Sequence, residues 1–138
     1  MNPALDQELV DAAIALALRR YPVGEAIVAA LRTNSGKILT SVCAQARVDS
    51  ANLCAETGSI CEAHKIDESV VASACLYRES ELFPFRVLPA CGICQERLAY
   101  WGLNVQIAVP LNEVGNEKIW QAKTLRQLRP FYWREAVD

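Results

Sequence analysis

Two stretches, "EAIVAALRT" (25–33) and "SVVASACLY" (69–77), are apolar at successive positions instead of alternate ones. Side chains of a strand point to opposite faces of its sheet in turn, so a strand that is apolar throughout needs cover on both faces. Helices between the strands supply that cover in a three-layer arrangement. The chain is therefore expected to fold as an α/β protein, a three-layer α/β/α sandwich.

The remaining segments fit this plan. Asn2 and Pro3 read as an N-cap and first helical residue, and Leu5, Leu9, Ala13 and Leu16 then recur at helical spacing, which predicts a helix over 3–20. Tyr21-Pro22-Val23-Gly24 ends it. "NSG" turns strand 25–33 into "KILTSV" (37–42), a hairpin. Residues 43–53 read as polar loop, "CAETGSICEAHK" (54–65) as a helix, and 78–90, rich in Glu, Phe and Pro, as a second loop. "CGICQERLAYW" is a helix, "NVQIAVP" and "EKIWQAKT" are strands, and "TLRQL" is a short helix. The order αββαβαββα carries a mixed five-stranded sheet. Only "PLNEVGNE" joins the last two strands, too short for a parallel crossover of a dozen residues or more, so they are expected to be antiparallel neighbours.

Composition removes several function classes. Residues 1–138 are read as a single domain, since 52% hydrophobic content is enough to build one core. The 14 Lys plus Arg against 16 Asp plus Glu are spread along the chain, which gives no basic stripe for a nucleic acid polymer. No apolar run is long enough for a membrane span, and the acidic N-terminal stretch is unlike a secretory leader. A cytoplasmic location is expected, with the six cysteines reduced.

Three of those cysteines carry the chemistry. Cys54 opens one predicted helix, and Cys91 and Cys94 open another, where free N–H groups favour thiolate. Two thiols three apart and one from a second helix can chelate one ion, and zinc held by three thiolates keeps its fourth position for water. Glu56 stands two residues after Cys54 and can move a proton without being a ligand, as the non-ligand Glu of zinc deaminases does. Other readings stay open. Cys91 and Cys94 can be a redox pair, Cys43, Cys61 or Cys75 can close a four-cysteine clip, and Glu56 can be a first-turn acid. His64, the one histidine, lies too far along the helix to be a ligand. Cys61 and Cys75 read as small core residues, Trp101 and Trp120 as core or subunit packing, and "YRESE" as a solvated face.

Cys54-Ala55-Glu56 followed by Cys91-Gly92-Ile93-Cys94, in this element order, resembles the cytidine deaminase family in its small, usually tetrameric branch. "ALRTNSGKILTS" is similar to that family's "AALLTxDGKVYTG", and "TLRQLRPFYW" to its "LLPxxF". The resemblance implies Zn2+ on Cys54, Cys91 and Cys94, Glu56 as catalyst, and the Ala55 N–H as a contact to the pyrimidine carbonyl. It also implies a homotetramer in which an aromatic at the Trp133 place borders a base pocket. The family's Asn-Val-Glu-Asn segment is here Cys43-Ala44-Gln45-Ala46, so the ribose-holding Asn and Glu are replaced by Cys43 and Gln45. Its nucleoside-packing Phe aligns with Glu25, and the Arg that often follows Cys-Ala-Glu is Thr57. Ala90, Gln95 and Glu96 stand where the family has Pro, Arg and Gln. Blasticidin S deaminases share the departure from Asn-Val-Glu-Asn.

The function expected is therefore zinc-dependent hydrolytic deamination of a small-molecule cytosine-type nucleoside, with altered sugar recognition. The alternatives are an ordinary cytidine/deoxycytidine deaminase of pyrimidine salvage and a non-catalytic zinc-bearing nucleoside-binding protein.

Overall fold

The computed structural model describes residues 3–111 and 118–137. In chain order the elements are α1 (Gln7–Arg20), β1 (Ala26–Thr33), β2 (Ile38–Val42), α2 (Thr57–Lys65), β3 (Val70–Arg78), β4 (Arg86–Leu88), α3 (Gly92–Leu98), β5 (Gln106–Pro110), β6 (Trp120–Thr124) and α4 (Leu125–Leu128). The sheet runs β2-β1-β3-β5-β6, with β4 paired to β3 off this path. β3 and β5 are parallel, and the other pairs are antiparallel.

The two apolar strands are the centre of the sheet, and their alternation sends side chains into two cores. Val28, Ala30, Ala72, Ala74 and Leu76 meet Leu9, Val10, Ala13 and Ala17 of α1. Ala29, Leu31, Cys75, Ile107 and Val109 face the other way, onto Ile60 and Ala63 of α2, Leu98 of α3 and Leu125 of α4. The three layers follow directly from this division. The β5–β6 pair is antiparallel, as the short connection requires; most of that connection lies outside the described residues.

Several boundaries differ from the sequence expectation. The sheet has six strands, not five, because Arg86–Leu88 pairs with Cys75–Tyr77 on the edge of β3 that β5 leaves open. Helix α1 begins at Gln7, not Pro3, because Asp6 caps it by accepting from Leu9 N–H, and Arg32 bonds Asp6 at 3.0 Å and the Ala4 carbonyl at 2.8 Å. The expected cap Asn2 lies outside the described residues. Helix α2 begins at Thr57, so Cys54, Ala55 and Glu56 form a turn ahead of it, closed by the Thr57 N–H on the Cys54 carbonyl at 3.0 Å.

Two burial expectations are also corrected. Cys61 is exposed, since the buried side of α2 is Thr57, Ser59, Ile60 and Ala63. Arg78, within "YRESE", is buried: its guanidinium donates to the carbonyls of Tyr21 and Gly24 and lies over the Phe85 ring. Cys75 and Trp120 are core residues, and Trp101 packs at the core margin against His64. Among the described residues, no helix is long and apolar enough to cross a membrane.

Candidate active site

The turn before α2 and the start of α3 meet beneath one side of the sheet, and the three cysteines meet with them. The sulfurs of Cys54, Cys91 and Cys94 all lie within 4.8 Å of one another, and Cys54 Sγ and Cys91 Sγ are 3.4 Å apart. Thiolates around one tetrahedral zinc at about 2.3 Å stand about 3.8 Å apart, so the cluster has the spacing of a three-sulfur metal site. Among the described residues no other Cys, His, Asp or Glu joins that group, so the closed four-cysteine clip is not formed. His64 is elsewhere, against the rings of Tyr100 and Trp101.

Each thiol has its own environment. Cys91 is the N-cap of α3. Burial opposes its ionisation, yet the N–H groups of Cys94 and Ile93 and the neighbouring Cys54 thiol outweigh it, and its pKa falls below the ordinary thiol value. Cys94 is fully buried, and burial together with the Glu56 charge pushes its pKa well up. Burial and the hydrogen bond with Cys91 raise Cys54. Holding all three as thiolates together therefore calls for a cation, and soft sulfur donors select a metal such as zinc.

Glu56 is 4% exposed, and its Oε2 accepts from Cys94 Sγ at 3.2 Å. This buried carboxylate touches a sulfur of the cluster without belonging to the group of possible ligands, a position from which a carboxylate can exchange protons. Ala55 is likewise buried, and its carbonyl is held by Ser41 Oγ at 2.6 Å. Thr57 accepts from Arg97 Nη1 at 3.0 Å. The guanidinium beside this turn thus comes from α3, three residues after Cys94.

Glu25, Cys43 and Gln45 line one cavity of about 420 Å³, together with Arg20, Tyr21, Ile27, Val42 and Ala44. Burial first, then the charges of Glu25 and Glu56, raise the pKa of Cys43. The buried Arg78, by holding the Tyr21 and Gly24 carbonyls, fixes the loop that presents Tyr21 and Glu25. Trp133 is not in this cavity within the chain. It is half-exposed, its Nε1 donates to Glu96, and it lines a separate cleft with Ala99, Tyr100 and Tyr132. Sequence reasoning missed Ser41, Arg78, Arg97, Arg20 and Tyr21. Only Arg97 carried a readable signal, its helical spacing from Cys94.

Fold and site together define an α/β/α protein with a cluster of three cysteines that could hold a metal ion and a buried acid beside it. Neither a protein-family model nor a curated protein matches the chain. Among solved structures it is similar to the cytidine deaminase from Bacillus anthracis, with 42% identity and a TM-score of 0.84 over 94% of this chain and 90% of that one. The chain belongs to the cytidine deaminase family. Cytidine deaminases from Mycobacterium leprae (23% identity, TM-score 0.69, covering 90% of this chain and 96% of that one) and Burkholderia pseudomallei (18%, 0.70, covering 94% and 99%) share the fold.

Proposed function

We propose that the protein is a zinc-dependent hydrolytic deaminase that removes the 4-amino group of a cytosine-type nucleoside. The observation that carries this reading is the 3.2 Å contact between the buried Glu56 carboxylate and Cys94 Sγ, which sets a proton carrier against the metal cluster. Cys54, Cys91 and Cys94 would hold the ion. Zinc in a site with three protein ligands supplies the Lewis acidity that makes water a nucleophile near neutral pH. Glu56 would carry one proton of the attacking water to the ring nitrogen beside C4, where it stays in the product, and the second, from the new C4 hydroxyl, to the amine, which departs as ammonia. The Ala55 N–H meets the pyrimidine carbonyl. A nucleoside-binding protein without turnover has no use for a buried acid at the cluster.

The cavity lined by Glu25, Cys43 and Gln45 takes the part of the substrate beyond the base. Gln45 donates and accepts hydrogen bonds, Cys43 is a poor partner for a hydroxyl, and Glu25 favours a positive group. A site that has lost its hydroxyl-directed polar groups loses discrimination for that hydroxyl. Plain cytidine is therefore not the best substrate in this reading, in keeping with the blasticidin S deaminase-like departure from Asn-Val-Glu-Asn, and a modified cytosine nucleoside is preferred. The exposed Ile93, Tyr100, Phe131 and Trp133 support burial between subunits of a homotetramer, where Trp133 would border a neighbour's pocket. Six free cysteines suit a reducing cytoplasm.

A spectrophotometric panel of cytidine, deoxycytidine, cytosine and bulkier cytosine nucleosides tests the reading, with light scattering for the tetramer. Turnover with a preference for a bulkier nucleoside is expected, and Cys43→Asn with Gln45→Glu should gain on cytidine. Ordinary turnover of cytidine with no gain from the double change leaves a plain cytidine deaminase of pyrimidine salvage. No turnover of any cytosine nucleoside overturns the enzyme reading.

A further inference from the structure

We infer that Ser41 is a positioning residue for Glu56: by capping α2 from the adjoining strand, it leaves the Glu56 carboxylate free to face the thiol cluster. The inference rests on the deaminase reading above.

Glu56 is the N-cap residue of α2, yet its side chain makes no capping bond. A side-chain oxygen at an N-cap, most often of Ser, Thr, Asp or Asn, accepts from the backbone N–H two or three residues on, satisfying a donor the helix itself leaves unpaired. Here that bond is made from outside. Ser59 N–H, three residues after Glu56, donates to Ser41 Oγ of β2 at 3.1 Å. The Ser41 hydroxyl donates in turn to the Ala55 carbonyl at 2.6 Å, and Ser59 Oγ lies 2.7 Å from it. With its one hydrogen on Ala55, Ser41 Oγ accepts from both the amide and the hydroxyl of Ser59, so its one donor and two acceptor sites are all used.

The Ala55 carbonyl shares a rigid peptide plane with the Glu56 N–H, so the same bond also fixes the direction in which Glu56 leaves the backbone. Gly58 permits the close approach, since a Cβ there would lie 3.0 Å from Ser41 Cβ. Without the hydroxyl, Ser59 N–H loses the acceptor it has, and Glu56, at the N-cap, is the side chain in place to supply another by turning back onto its own helix and leaving the cluster.

The test is a double-mutant cycle on the zinc-loaded protein. Ser41→Ala should lower kcat by roughly tenfold or more, part of the ~10²–10⁴ that general acid-base help supplies, with KM within about twofold of wild type and zinc content unchanged. In a Glu56→Gln background the same change should cost less than about twofold, because Ser41 acts through Glu56. Ser41→Gly with Gly58→Ala refills the space without the hydroxyl and should show the same kcat loss. Wild-type kcat in Ser41→Ala, recovery of kcat in the refilled variant, or equal losses in both backgrounds overturns the inference. A crystal structure of Ser41→Ala decides the point without turnover: Glu56 bonded to Ser59 N–H is expected, and an unmoved Glu56 overturns it. A wild-type protein that deaminates no cytosine nucleoside removes the deaminase reading alone, and that crystal structure still decides whether Ser41 directs Glu56.

Discussion

Cys94 Sγ donates to the buried Glu56 carboxylate across 3.2 Å, so a thiol of the three-cysteine cluster and the acid beside it hold one hydrogen between them. Burial, then the Glu56 charge, raises the Cys94 pKa, and burial with the Cys91 contact raises that of Cys54. Groups raised above the ordinary thiol value of 9.0 are protonated at neutral pH, and zinc must displace those protons. Zinc affinity should therefore climb steadily between about pH 6 and about pH 8. Competition with a chromophoric chelator checks this, and affinity independent of pH contradicts it. Cys94→Ala should lose zinc and thermal stability together.

Arg97 joins the two halves of the site by donating to Thr57 Oγ1 at 3.0 Å. Thr57 is buried, whereas Arg97 is exposed, so the bond is worth about 1 kcal/mol after solvent screening, below the ~1.5–3 of a buried charged bond. Arg97→Met and Thr57→Val should each lower the melting temperature, and the double variant should lose little more than either. Strictly additive losses would show that the two side chains do not act on each other.

What the sequence made legible was set by long, local patterns. Strands β1 and β3 carry enough apolar positions for two cores, and the nine residues between β5 and β6 leave room only for antiparallel pairing. The convergence of Cys54 with Cys91 and Cys94 was readable from two short motifs, one in the turn just ahead of α2 and one at the start of α3. The rest depends on contacts between distant residues. β4 is three residues between Pro84 and Pro89, too short for a period, and is selected by the free edge of β3. The start of α2 is fixed by a Ser41–Ala55 bond spanning 14 positions. Arg78 looks like part of a charge run until the carbonyls of Tyr21 and Gly24 are brought over it.

Glu96 ties the C-terminal segment to α3, accepting from Tyr132 at 2.8 Å, from Arg129 at 2.8 Å and from Trp133 at 3.2 Å. These donors, the Tyr132 hydroxyl first, hold its pKa below the ordinary 4.5. A depressed carboxylate contributes its stabilisation above that ordinary value and loses it as pH falls through the folded pKa. Docking of the tail should thus persist through neutral pH and fail only in acid below about pH 4.5, while Glu96→Gln should loosen it at pH 7. Trp133 fluorescence, with Trp133→Phe as the control, follows the release. A tail signal that changes near neutral pH instead would contradict this sign.

The most direct test of the central claim is zinc content and ammonia release measured side by side in wild type and Glu56→Gln. Wild type should carry about one zinc per chain and release ammonia in step with loss of the cytosine absorbance, while Glu56→Gln keeps its zinc and loses at least ~10²-fold in turnover. Active, folded protein without zinc, or a Glu56→Gln variant as fast as wild type, would contradict the account.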